Sequence, residues 1–271
     1  MQAWPAVFHG LQFPFNDVKN SIVFITGASS GIGKACARAF AEAGARLILA
    51  ARRKDRLQEL AADLNKKHGT ESLLVELDVR DGKAVGLAVA NLPDAWQQID
   101  ILVNNAGLSR GLDKLQDGKL DDWDEMIDTN VKGLLYVTRA VLPGMIARQR
   151  GTVVNIGSIA ADEVYPKGNV YAASKAAVDA LTRGLRMDVV DTPIRICSVD
   201  PGLVETEFSE VRFRGDKDRA KVTYQGFRPL KPEDVAEAVL FCATRPSHVQ
   251  IGRMTMYPTD QASTTLVNRK Q

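Results

Sequence analysis

The sequence predicts an α/β fold, a doubly wound parallel sheet of about seven strands within one domain, and three observations predict it. Short apolar runs alternate with helical stretches along most of the chain. Those runs are apolar on both faces, as strands covered by helices on each side must be. A glycine-rich turn joins the first run to the first helix. The length of 271 residues exceeds the usual 100 to 200 per domain yet suits one large α/β domain. A hydrophobic share of 45% with 25% charged residues excludes disorder, collagen and a membrane bundle.

Each element has its own signal. The strand at 21–26 enters Thr26-Gly27-Ala28-Ser29-Ser30-Gly31-Ile32-Gly33, and an alanine-rich helix follows over 34–43. A strand at 46–51 comes after Gly44; a helix at 55–67 places Leu57, Leu60 and Leu64 on one face, and Gly69 precedes a strand at 72–77. The rhythm continues with a helix around 82–96, a strand at 101–103, a long helix near 120–148 and a strand at 152–156. A helix at 170–190 leads to a strand at 194–199, and right-handed crossovers connect the series. After Pro201 the pattern changes: 205–224 is rich in charge, which predicts a lid over about 205–228. A helix at 232–243 and a strand at 254–257 complete the domain, 21–271. Residues 1–20 lack a charged segment followed by a long apolar core and contain no arginine, so they predict a short N-terminal extension packed on the body.

Several function classes drop out. Lys and Arg total 35 against 33 Asp and Glu, and this balance of +2 implies neither nucleic acid nor a membrane as partner. Any cationic site must be local. No run of eighteen apolar residues occurs. Cys36, Cys197 and Cys242 are odd in number and scattered, which points to a reducing, cytoplasmic compartment. His9, His68 and His248 are scattered too, so no metal site and no Ser-His-Asp triad is expected.

The glycine-rich turn lies between strand and helix, where its backbone can approach a pyrophosphate and the helix N-terminus supplies free N–H groups. A purely structural tight turn would show the same glycines. Its G-x-x-x-G-x-G spacing, Asn104-Asn105-Ala106-Gly107 after the fourth strand, Ser158 after the fifth, Tyr171-Ala172-Ala173-Ser174-Lys175 opening the next helix, and Pro201-Gly202 ending the sixth strand resemble, in this order, the short-chain dehydrogenase/reductase family. The resemblance covers roughly residues 20–260 and implies a Rossmann-type domain that transfers a hydride between a nicotinamide cofactor and a small-molecule alcohol or carbonyl substrate.

The resemblance also implies roles. Gly27, Ser29, Ser30, Gly31, Ile32 and Gly33, with Asn105, Ala106 and Gly107, would hold the dinucleotide. An acidic residue closing the second strand would select NAD, but Ala51 stands there and Arg52 and Arg53 follow, as a 2′-phosphate requires. NADP is therefore the expected cofactor, although a solvated helix start would read alike. Asp78, with Val79, would meet the adenine; Asp78 also suits a turn or helix cap. Asn130, Ser158, Tyr171 and Lys175 would form the catalytic tetrad. Tyr171 would be the general acid and base, Ser158 would hold the substrate oxygen, Lys175 the ribose hydroxyls and Asn130 a relay water, a role compatible with Asn130 also bonding backbone at a helix kink. Work near neutrality asks that the tyrosine pKa fall by roughly 3 units from about 10, through the lysine and the oxidised ring. Pro201, Gly202, Val204 and Thr206 would border the nicotinamide, with contacts from the Val204 backbone and the Thr206 side chain.

The stretches around Tyr165-Pro166, Val211-Arg212-Phe213 and the closing Y-P-T-D-Q-A-S are similar to the NADP-dependent serine and L-allo-threonine (3-hydroxy acid) dehydrogenase group. Such a substrate carries a carboxylate, which Arg212, Arg214 or Arg219 could clamp, while solvated arginines would look the same. The alternatives are a broad carbonyl or 3-oxoacyl-thioester reductase and a non-catalytic NADP(H)-binding regulator. Members of the family are commonly homotetramers packed through the two long helices; burial within one subunit would give the same apolar faces.

Overall fold

In a computed structural model of the chain, which describes residues 18–270, seven parallel strands form one sheet in the order β3-β2-β1-β4-β5-β6-β7. They are β1 (Ile22–Thr26), β2 (Arg46–Ala51), β3 (Ser72–Glu76), β4 (Ile99–Asn104), β5 (Thr152–Ile156), β6 (Arg195–Pro201) and β7 (Arg253–Met256). Helices α1 (Gly31–Glu42), α2 (Lys54–His68) and α3 (Gly82–Ala90) connect the first four. The strand order reverses between β1 and β4, and in such sheets the ligand crevice lies at that point, outside the carboxyl ends. The extension predicted at 1–20 lies outside the described residues except for its last three.

Side chains alternate along the strands, and in β1, β2, β4, β5 and β6 both sets are largely buried, while the edge strands β3 and β7 are only partly covered. On one face Val23, Ile25, Leu47 and Leu49 pack with Phe40 of α1 and Leu57 of α2. On the other, Phe24, Ile48 and Leu102 pack with Val137, Val141 and Met145. Complete burial of such a side chain contributes about 1.5–3 kcal/mol, so the two layers hold the carboxyl edge rigid for the site.

Two predicted helices are shorter than the sequence suggests. The helix expected at 82–96 stops as α3 at Ala90, because Pro93 cannot continue it, and only a 3₁₀ turn, Asp94–Trp96, follows. The long helix near 120–148 is divided into α4 (Leu120–Ile127) and α5 (Leu134–Ala147) by a π turn, Asp128–Gly133. That turn carries Asn130, whose carboxamide is held by the backbone of Leu108. The predicted helix at 170–190 is present as α6 (Asn169–Asp188).

After β6 the chain runs over the carboxyl edge as α7 (Phe208–Arg212) and α8 (Lys217–Val222), returns through a bridge between Val204 and Leu230, and enters α9 (Pro232–Ala243). The C-terminal stretch then braces this excursion: Arg269 Nη2 donates to the Thr223 carbonyl at 3.0 Å and the Lys270 N–H to that of Gly226 at 2.6 Å. Among the described residues no helix is long and apolar enough to cross a membrane, and no cluster of candidate metal ligands occurs.

Candidate active site

The carboxyl ends of β1, β4, β5 and β6, together with α7, enclose a cavity of about 560 Å³. Its glycine-rich wall is shaped by backbone demands. Gly27 has φ +65°, and a Cβ there would stand 2.8 Å from Asn105 Nδ2. A Cβ on Gly33 would collide with the same amide and with the Gly27 carbonyl. Asn105 itself fastens the turn, since its Nδ2 donates to the carbonyls of Thr26 at 2.8 Å and Gly27 at 3.2 Å. The N–H groups of Asn105 and Ala106 both donate to Thr26 Oγ1 at 3.0 Å. A bare, tightly held loop at a helix start fits a dinucleotide pyrophosphate. Ser29, Ser30, Gly31 and Ile32 line the cavity, whereas Gly33 supports the loop from behind.

Arg52 and Arg53 line the far end, and Arg53 is already engaged. Its Nη2 donates to Ser30 Oγ at 2.7 Å and to Ser29 Oγ at 3.1 Å, while Nη1 meets Glu207 at 3.0 Å. Asp78 lines the same end beside Val79. Burial pushes the Asp78 carboxyl up, but hydrogen bonds from Arg80 outweigh it and the net shift is downward. Its Oδ1 accepts from the Arg80 N–H at 3.0 Å, a turn contact, and the cap of α3 is Asp81 instead.

At the reaction end, Ser158, Tyr171 and Lys175 line the cavity and Asn130 stands behind it. Asn130 Oδ1 accepts from the Leu108 N–H at 2.8 Å, and its Nδ2 donates to the Leu108 carbonyl at 2.8 Å and to Ser174 Oγ at 3.0 Å. This is the backbone-bonding asparagine at a helix irregularity, and it ties the β4 loop to α6. Lys175 Nζ donates to the Ile156 carbonyl at 2.8 Å. Burial lowers its pKa to about 8, against an opposing pull from the Asp200 carboxylate.

The chain's own groups push the Tyr171 phenol upward. Burial, aided by Tyr165, pushes its phenol up to about 12, while Arg212 and a hydrogen bond with Ser158 only partly oppose this. This shift suits a proton donor, and the depression a base requires rests on the cationic oxidised nicotinamide.

The three candidate arginines separate. Arg212 lines the cavity: its Nε donates to Ser109 Oγ at 3.0 Å, its Nη2 to Tyr165 Oη at 2.7 Å, and its Cζ lies 5.4 Å from the Tyr171 ring centroid. Arg214 and Arg219 do not line it. Arg214 pairs with the buried Asp122, and Arg219 stacks on Phe213 with Cζ 4.2 Å from the ring centroid, so neither is placed to hold a substrate. Pro201, Gly202, Val204 and Thr206 form the wall beyond β6. The Val204 carbonyl accepts from Tyr224 Oη at 2.9 Å, and Thr206 Oγ1 accepts from the Phe208 N–H at 3.1 Å.

Sequence reasoning missed Phe208, Tyr224 and Glu207, and the tail residues Gln261, Thr264 and Arg269 that also line the cavity. Phe208 meets Tyr171 edge-on, ring centroids 5.6 Å apart. Aromatic residues flanking a charged lid were the available signal for Phe208 and Tyr224. The tail has no helical or strand periodicity to reveal it.

This architecture and site define a nucleotide-dependent oxidoreductase of the Rossmann type. Residues 21–217 match the short chain dehydrogenase family, and the chain belongs to it. Over 242 residues it is 48% identical to the NADP-dependent 3-hydroxy acid dehydrogenase YdfG of Salmonella typhi, covering 89% of this chain and 96% of that protein. It is 47% identical to sulfoacetaldehyde reductase 2 of Chromohalobacter salexigens, over 90% of this chain and 96% of that one. A structure of the closed form of serine dehydrogenase complexed with NADP⁺ superposes with a TM-score of 0.86 at 45% identity, covering 92% of this chain and all of that one.

Proposed function

We propose that the chain is an NADP-dependent dehydrogenase of small 3-hydroxy acids, interconverting the hydroxyl and the corresponding carbonyl. The observation that carries this reading is Arg212, whose guanidinium stands over the Tyr171 ring in the cavity that Ser158 and Lys175 also line. A carboxylate two carbons from the reacting carbon would reach Arg212 while the oxygen meets Tyr171 and Ser158.

In reduction, Tyr171 Oη gives its proton to the carbonyl oxygen and Ser158 steadies that oxygen by a hydrogen bond; oxidation runs the same transfer backwards. Lys175, anchored on the Ile156 carbonyl, would hold the ribose hydroxyls, and Asn130 would order the water that re-supplies the proton. When bound, the dinucleotide supplies or accepts the hydride and, oxidised, adds a positive charge near Tyr171. Arg52 and Arg53, with Ser29 and Ser30, would hold its 2′-phosphate, Asp78 and Val79 would border the adenine, and Val204 and Thr206 would orient the carboxamide.

Segment 205–228 acts as the lid that brings Arg212 to the substrate. A guanidinium also suits a sulfonate, and the resemblance to a sulfoacetaldehyde reductase keeps small sulfonates as a second substrate class. An NADP-linked screen of serine, threonine stereoisomers, 3-hydroxypropionate, a sulfonated aldehyde and simple ketones tests the reading. Anionic substrates should lead; a preference for uncharged ketones would overturn it.

A homotetramer in the cytoplasm completes the proposal. Exposed Leu120, Leu135 and Met187 on α4, α5 and α6 support helix-mediated assembly, and three free, buried cysteines support a reducing compartment. Light scattering should give about four times 29.6 kDa; a monomer mass would refute the assembly.

A further inference from the structure

Glu207 links the two ends of the cavity. Its carboxylate accepts from Arg53 Nη1 at 3.0 Å and from Arg56 Nη1 at 2.7 and 2.8 Å. The same Arg53 directs its Nε and Nη2 donors to Ser29 and Ser30. Those three residues, with Arg52, are the proposed 2′-phosphate site. Glu207 also immediately precedes α7, whose first residue packs on Tyr171 and whose last is Arg212.

We propose that Glu207 is an internal competitor for the 2′-phosphate: it holds Arg53 in the free enzyme and yields it when the phosphate docks, so the anchoring of α7 responds to which dinucleotide is bound. This rests on the assignment of Arg53 to the phosphate.

The physical case is one of shared donors and like charge. A guanidinium whose Nη1 faces a carboxylate and whose Nε and Nη2 face two hydroxyls has no free pair of donors for a phosphate, so a two-pronged grip on it requires releasing a partner. Phosphate outbids the carboxylate because it brings more charge and three acceptor oxygens, and the serine hydroxyls can rotate from accepting to donating. Exchange is easy here because Arg53 and Glu207 are 40% and 42% exposed at the side chain, so water compensates each group during the swap. Arg56 retains Glu207 after the exchange, which keeps its charge paired close to the cavity rim. A dinucleotide lacking the 2′-phosphate leaves the Arg53–Glu207 pair intact and α7 doubly tethered.

The test is calorimetric binding of adenosine 2′,5′-bisphosphate, 5′-AMP, NADPH and NADH to the full chain and to Glu207→Gln, Arg53→Gln and the double variant, each checked for an unchanged melting temperature. Glu207→Gln should tighten the bisphosphate and NADPH by about three- to fivefold, the scale of an exposed ion pair, with 5′-AMP and NADH unchanged. In the Arg53→Gln background that gain should vanish. Weaker or unchanged bisphosphate binding in Glu207→Gln, or an equal gain for 5′-AMP, would overturn the competition. If Arg53→Gln alone leaves bisphosphate affinity intact, the phosphate assignment itself fails, and that result is distinct from the first.

Discussion

The two ends of the cavity handle charge in opposite ways. At the phosphate end, Arg53, Arg56 and Glu207 are about two-fifths exposed and paired with one another. At the reaction end, Lys175 is only 7% exposed, and burial governs both it and Tyr171, lowering the lysine to about 8 and raising the tyrosine to about 12. Exposed ion pairs are worth roughly 0–1 kcal/mol and exchange partners readily, whereas a desolvated group changes its protonation instead. On the proposed roles, cofactor choice would sit where charge is easily rearranged, and proton transfer where it is not.

The most severe way to break the reaction end is Tyr171→Phe, which removes the proton but keeps the ring that packs on Phe208. Turnover with NADPH and a 3-oxo acid should fall by about 10³-fold while NADPH binding persists. Retained turnover would remove Tyr171 from the chemistry.

The buried lysine makes a stability prediction with a defined sign. Its folded pKa of about 8 lies below the unfolded 10.5, so the unfolded chain binds more protons between those values and the lysine's contribution to stability rises with pH across that window. Below pH 8 the full penalty applies, about 3 kcal/mol at most. Lys175→Met should accordingly melt higher than the parent at pH 7, with the gap narrowing towards pH 10. Tyr171 opposes this above pH 10, since its raised pKa makes stability fall as pH climbs towards 12. Denaturant melts of Lys175→Met and parent from pH 6 to 10 check the lysine's sign, and a constant difference would contradict it.

At the phosphate end the effect should be smaller. Arg53→Gln is expected to weaken NADPH by about tenfold, the loss of one charge-assisted contact, and to leave NADH nearly unaffected. Smallest of all is Arg214→Ala: its guanidinium pairs with Asp122 away from the cavity, and kcat/KM for a hydroxy acid should stay within about twofold.

The same contrast explains what was legible in the sequence. The glycine turn, the strand series and the Tyr171-to-Lys175 spacing are local patterns that sheet geometry dictates, and they are found where expected. A kink at Asn130 was legible too, but not its form as a π turn over 128–133 or its partner, since Asn130 bonds Leu108, 22 residues away. Choosing among Arg212, Arg214 and Arg219 required knowing that Asp122 and Phe213 claim the latter two. The rise in the Tyr171 pKa was likewise invisible, since it comes from burial among Tyr165 and neighbours that only the fold brings together.

The central claim is that one guanidinium above the proton donor selects an anionic substrate. Steady-state kinetics of Arg212→Ala with 3-hydroxypropionate and with an uncharged secondary alcohol test it most directly. The account predicts a loss of about 10²-fold in kcat/KM for the acid, the cost of one desolvated charge-assisted pair, and little change for the alcohol. Equal losses for both, or none for the acid, would contradict it.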